Sequence, residues 1–178
     1  FSVTADVAAA PWAPEHRLLR IGIKGRSLRT ESVPPSNLVF LLDVSGSMGT
    51  ERKLELAKRA TATAIDGLRD DVMFAVIAGN ESAKQIYPRR RFAMSSADTR
   101  VEAKQAVARL DADGGTAISR WLASANELFE SVPDAIRYAI LLTDGRNDHE
   151  TTERLQETLR KCAGNFQCDC RGVGTDWN

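Results

Sequence analysis

Three stretches of this chain run almost unbroken in apolar residues: 37–42 (NLVFLL), 72–78 (VMFAVIA) and 135–142 (AIRYAILL). Runs of that length bounded by turn residues predict strands buried on both faces of a parallel sheet. Between them the period changes. Residues 51–69 place Leu54, Ala57, Ala60, Ala64, Ile65 and Leu68 at helical spacing, with charges between, as an amphipathic helix on a sheet does. A second helix is predicted over 98–110, with Ser95 or Ser96 as its cap. A third is expected over 118–130, entered through the tight Gly-Gly loop 113–119, and a fourth over 151–162, ended by Gly164. Residues 85–87 predict a short edge strand limited by Pro88, and 166–173 a last strand. Upstream, 1–7 and 18–23 alternate or run apolar as extended segments, interrupted by Pro11, Trp12 and Pro14. They are expected to form a β layer packed on or added to the main sheet. Pro34 and Pro35 mark a linker after them.

Strands alternating with helices predict an α/β fold: a Rossmann-like, doubly wound, mostly parallel sheet flanked by helices, with an N-terminal β extension. The division expected is 1–35 for the extension and linker and 36–178 for the α/β domain. The chain stops soon after its last predicted strand, so a helix that would cover that end of the sheet is expected to be missing. An exposed apolar sheet face there would show as poor solubility or as a dimer.

Composition narrows the classes. With 178 residues the chain has the size of one domain with a sizeable core, and its formal net charge is zero. No general nucleic-acid or membrane-surface role follows from that balance. The run Arg89, Arg90, Arg91 reads as a solvated loop. No apolar stretch is long enough to span a bilayer, so no direct membrane insertion is expected. The first residue is Phe1, so the missing targeting signal leaves the compartment open. Cys162, Cys168 and Cys170 fall short of the usual four structural zinc ligands. Strand alternation would put Cys168 and Cys170 on one face.

The candidate chemistry sits where the buried strands end. The first strand stops abruptly in Asp43, Ser45 and Ser47 and turns on Gly46 and Gly49 into a helix. Thr116 stands at the entrance of the third helix, and Asp144 ends the third buried strand. In open α/β sheets ligands bind outside the carboxyl ends of the strands. Carboxylates and short neutral hydroxyls are hard oxygen donors, suited to Mg²⁺, with Mn²⁺ or Ca²⁺ as alternatives. If the hydroxyls bind directly and a carboxylate acts through water, little anionic charge touches the ion. Such an ion attracts a carboxylate from another molecule. Singly, each residue would pass for a turn or cap residue.

The segment Asp43-Val44-Ser45-Gly46-Ser47-Met48, the pair Gly115-Thr116 and the triplet Thr143-Asp144-Gly145 together resemble the von Willebrand factor type A family, in that family's order and over roughly 36–174. The resemblance implies a metal-ion-dependent adhesion site (MIDAS) on the sheet's top edge. Ser45 and Ser47 would be direct ligands, Thr116 direct or through water, and Asp43 and Asp144 largely through water. A protein ligand would supply the Glu or Asp that completes the octahedron, with the partner surface around Gly46, Met48, Gly115 and Gly145. The N-terminal part, through Gly25 and the Pro34-Pro35 linker, resembles the extension that precedes this domain in some bacterial members.

Catalysis finds little support. Asp43 lacks a second acid two residues on, since that position is Ser45. Only His16 and His149 are available to a Ser-His-Asp arrangement, and no GxxxxGK[ST] phosphate loop exists. A binding module is therefore expected and not an enzyme. The runner-up is an intracellular scaffold acting beside an ATPase, as chelatase-associated members of the family do.

Overall fold

The computed structural model of the chain describes residues 2–24, 36–132, 135–145 and 147–175. They fall into two units, Phe1–Val33 and Pro34–Asn178. The Pro34–Pro35 linker, Pro133 and Trp177 lie outside the described residues.

In the first unit, β1 (Ser2–Ala10) and β2 (Ala13–Lys24) pair antiparallel in a hairpin that turns at Pro11 and Trp12. Asp6 faces Arg20 across it, with Arg20 Nη2 donating to the carboxylate at 2.6 Å. The hairpin is a two-stranded sheet of its own.

The second unit is built on β3 (Ser36–Asp43), β4 (Met73–Gly79), β5 (Ala83–Tyr87), β6 (Ala93–Met94), β7 (Ile136–Thr143) and β8 (Gln167–Gly172). The order is β5-β4-β3-β7-β8, with the two-residue β6 beside β4. Strands β4, β3, β7 and β8 are parallel, while β5 and β6 run antiparallel to β4. The chain leaves β3 for β4 on one side and later returns to β7 on the other. The order therefore reverses at β3, and the carboxyl ends of β3 and β7 flank the switch point.

Alternation along the buried strands divides the core in two. Phe40, Leu42, Phe74 and Val76 face α1 (Lys53–Asp66) and α2 (Ala97–Ala108), meeting Ile65, Ala103 and Val107. Val39, Leu41, Ala75 and Ile77 face α3 (Ile118–Glu130) and α4 (Thr152–Cys162), meeting Trp121, Ala125, Phe129 and Cys162. Each fully buried large side chain contributes about 1.5–3 kcal/mol. Trp121 is the largest of them. Its ring lies on Gly79, where a Cβ would come within 2.4 Å of it, so only glycine fits at the end of β4.

Helix α2 starts under Ser96, in a capping box with Thr99. Helix α1 starts later than its pattern predicts, because Glu51 and Arg52 take left-handed backbone angles (φ 51° and 60°). A short 3₁₀ turn, Gly46–Gly49, precedes them. Arg89, Arg90 and Arg91 are exposed between β5 and β6.

The face of β7 and β8 opposite α4 is open but not the apolar patch expected. Tyr138, Asp169 and Arg171 share it with half-buried Ile140, and Arg171 donates to Asp169 at 3.0 Å. Asp169 and Arg171 alternate onto that face beside Ile136, 45% exposed, so the surface there is mixed and not a continuous apolar patch. Cys168 and Cys170 occupy the other face, in register with Ala139 and Leu141, and all three cysteines are free thiols. No helix among the described residues is long and apolar enough to cross a membrane.

Candidate functional site

Three loops meet over the switch point. The first follows β3, the second runs from α2 into α3, and the third follows β7. Backbone hydrogen bonds fasten the first two: Gly46 N–H donates to the Gly114 carbonyl and Asp113 N–H to the Val44 carbonyl, both at 2.8 Å. Val44 N–H reaches the Gly79 carbonyl at 2.8 Å, and Ala117 N–H the Asn80 carbonyl at 3.1 Å. Trp121 Nε1 donates to that same Asn80 carbonyl at 2.6 Å. The core tryptophan thus anchors the start of α3, where Thr116 stands.

The five expected donor residues all lie on this rim. Asp43 and Asp144 are fully buried, Ser45 and Thr116 nearly so, and Ser47 is half-buried at the surface. Asp43 is held at both oxygens: Oδ1 accepts from Ser45 N–H at 2.8 Å and Oδ2 from Thr143 Oγ1 at 2.6 Å. These donors are neutral. Burial, the dominant cause, holds the Asp43 carboxyl above the usual carboxylate range, against the hydrogen bonds that pull it down. Ser45 Oγ and Ser47 Oγ stand 3.2 Å apart. Adjacent corners of an octahedron with ligands at 2.1 Å are about 3.0 Å apart. The pair is therefore spaced to share one small hard cation. Among the described residues no group of three or more His, Cys, Asp or Glu gathers, so the donor set is rich in hydroxyls and poor in charge.

Of the four positions expected around a partner, Gly46 is exposed and Gly145 half-buried. Met48 is fully buried in a cluster with Val44, Leu54 and Ala57, because the 3₁₀ turn curls its side chain inward. It fixes the loop from beneath and does not face a partner. Gly115 is also buried, under the ring of His149.

Sequence reasoning missed two features. The first is Lys53, which was not singled out among the charges between the apolar positions of α1. It is only 2% exposed, and its Nζ donates to Asp144 Oδ2 at 3.2 Å. One signal was available: a lysine as the first residue of a helix opposes the macrodipole, so it needs another partner. The second is a clamp from the third loop onto α3. Ile118 N–H donates to Asn147 Oδ1 at 3.2 Å and Ser119 N–H to Glu150 Oε1 at 2.9 Å, while Ser119 Oγ bonds Glu150 Oε2. His149 N–H reaches the Thr116 carbonyl at 3.0 Å. Helix α3 has no cap of its own at Ala117, so the third loop supplies one. Replacing Glu150 with Ala is expected to cost about 1–2 kcal/mol. Urea unfolding would measure the loss, and hydrogen exchange should quicken first at the amides of Ile118 and Ser119.

Comparison with known proteins places this rim in context. The von Willebrand factor type A domain model matches residues 36–178. An uncharacterized protein of Synechocystis is 32% identical over 174 residues, 96% of this chain and 39% of its own length. Among solved structures, a von Willebrand factor type A protein from Catenulispora acidiphila is 45% identical with a TM-score of 0.78, covering 81% of this chain and 34% of that one. The crystal structure of manganese-loaded Plasmodium vivax TRAP protein is 20% identical, with a TM-score of 0.65 over 81% of this chain and 59% of its own. The chain thus spans well under half the length of the first two. A family model over residues 36–178, on a sheet with this strand order and these three rim loops, settles the kinship: the chain belongs to the von Willebrand factor type A domain family.

Proposed function

We propose that this domain is a metal-ion-dependent protein-binding module which captures an acidic side chain of a partner protein. The observation that carries the reading is a charge imbalance. The buried charged side chains among the described residues are Asp43, Asp144 and Lys53, and all of them converge on one rim. Lys53 answers Asp144, while Asp43 is met by neutral donors. Buried charges are ordinarily paired or coordinate metals. A divalent cation beside Ser45 and Ser47 would balance Asp43 and draw its carboxyl back toward the usual range.

In this reading Ser45 and Ser47 hold the ion through their hydroxyls, with Thr116 directly or through water. Asp43 and Asp144 orient the hydration shell. Mg²⁺ is the ion such neutral oxygens suit, with Mn²⁺ or Ca²⁺ as alternatives. The bound ion would supply a Lewis-acidic position for an outside carboxylate. The manganese of the Plasmodium vivax structure belongs to the same ion class, but at 20% identity that likeness speaks for the fold. The residues of this chain carry the proposal.

Calorimetric titration of Mg²⁺ and Mn²⁺ into chelator-treated protein tests the reading. Wild type is expected to bind one ion per chain. Ser45→Ala should bind at least about 10-fold more weakly, having lost a direct ligand. Equal affinities, or no binding by wild type, would overturn it.

A further inference from the structure

We infer that Lys53 is an internal counter-charge that sets the residual charge of the metal-loaded rim, and with it the demand for one carboxylate from outside. The inference rests on the metal-site reading above and concerns Lys53, to which that reading gives no role toward the ion or the partner.

Lys53 opens α1, one short turn after the loop that carries Ser45 and Ser47. Its side chain runs inward, 3% exposed, to meet the fully buried Asp144. The stem passes against Gly174, where an added Cβ would lie 2.8 Å from Lys53 Cε. So the ammonium has little room elsewhere, and lysine here is not a surface charge that happens to reach inward. Burying an ammonium is costly unless its partner is equally committed.

Its consequence is one of charge. Among the described residues, the buried charged side chains of the rim are two carboxylates and one ammonium, an excess of one negative charge in its interior. A dication converts that to a single positive charge, which one outside carboxylate cancels. Were residue 53 neutral, the dication would already be balanced by Asp43 and Asp144. The ion would then bind more tightly and attract an external acid less. Lys53 thus weakens the hold on the metal and strengthens the attraction for the partner's acid. It is a specificity-determining residue that acts through charge and touches neither partner.

The test is Lys53→Met, similar in length and uncharged. Calorimetric titration of Mg²⁺ into chelated protein should show the variant binding about 10-fold or more tightly than wild type, because a like charge near the ion has been removed. Replacing chloride by acetate at equal ionic strength should raise the apparent Mg²⁺ affinity of wild type more than that of the variant. A variant that binds Mg²⁺ equally or more weakly overturns the inference while leaving the metal site standing, as does an acetate effect that is the same in both. Mg²⁺ binding by the variant alone overturns both the inference and the metal-site reading, because the wild-type rim would then never carry the ion whose charge Lys53 is inferred to set. Binding by neither protein rejects both readings. If Lys53→Met does not fold in chelator, circular dichroism during Mg²⁺ addition gives the same answer. Recovery with a midpoint below the wild-type dissociation constant supports the inference; a higher midpoint, or none, overturns it.

Discussion

Saturating Mg²⁺ is expected to raise the melting temperature of the wild-type chain by about 5–11 °C over the value in EDTA, and Asp43→Ala to abolish the rise. The size follows from linkage. A ligand that binds only the native state at 100 times its dissociation constant adds about 2.7 kcal/mol, and a domain of this size gains roughly 2–4 °C per kcal/mol. The specificity follows from where Asp43 sits. It is fully buried, and its oxygens are held by Ser45 N–H and Thr143 Oγ1. Removing it takes away the one buried carboxylate that Lys53 does not answer, and it frees the Ser45 amide that sets the loop's course. In EDTA the substitution has opposing effects, since two donors lose their acceptor while a costly buried charge disappears. The two proteins should therefore differ little without metal and widely with it. Melting curves monitored by circular dichroism check both halves. Superimposable wild-type curves in EDTA and Mg²⁺ would sink the metal reading outright.

The second large effect is Trp121→Ala. Loss of a fully buried tryptophan is expected to cost about 3–5 kcal/mol, through transfer and cavity terms. Gly79 lies against the ring, and no side chain there can swing in to fill the hole. The indole N–H also shares the Asn80 carbonyl with Ala117 N–H, so the start of α3 loses its fixed point. Chemical denaturation should show the stability loss. The same samples should show a smaller Mg²⁺ response than wild type, because Thr116 directly precedes Ala117. A Trp121→Phe variant keeps most of the volume and loses the hydrogen bond. It should recover most of the stability and less of the metal response. Full recovery of both would mean that the indole N–H positions nothing.

Much of this architecture was written plainly in the chain. The continuous apolar runs before Asp43, Gly79 and Thr143 predict buried strands, and they form the centre of the sheet, β3 and β4 covered on both faces and β7 partly open on one. Helix α3 begins and ends where its pattern places it. Asp43, Ser45, Ser47, Thr116 and Asp144 were legible because each stands at the end of a periodic segment. What stayed hidden was hidden by sequence distance. Lys53 meets a residue 91 positions away, and the clamp on α3 joins residues 29 to 31 positions apart. No local period encodes such contacts. Met48 misled for the opposite reason: it lies inside the motif, yet the 3₁₀ turn points it into the core. The β7–β8 face was read as apolar, whereas Asp169 and Arg171 stand on it beside Ile136.

The clamp formed by Asn147, His149 and Glu150 has a mechanical consequence. Because the third loop supplies the cap that α3 lacks, a pull on that loop is borne by the helix's first turn instead of being dissipated in a slack connection. A helix of 13 residues is a rod about 20 Å long. Tension applied at the crest is thereby delivered to Phe129 at the rod's far end, deep among its aromatic neighbours Phe92 and Phe166.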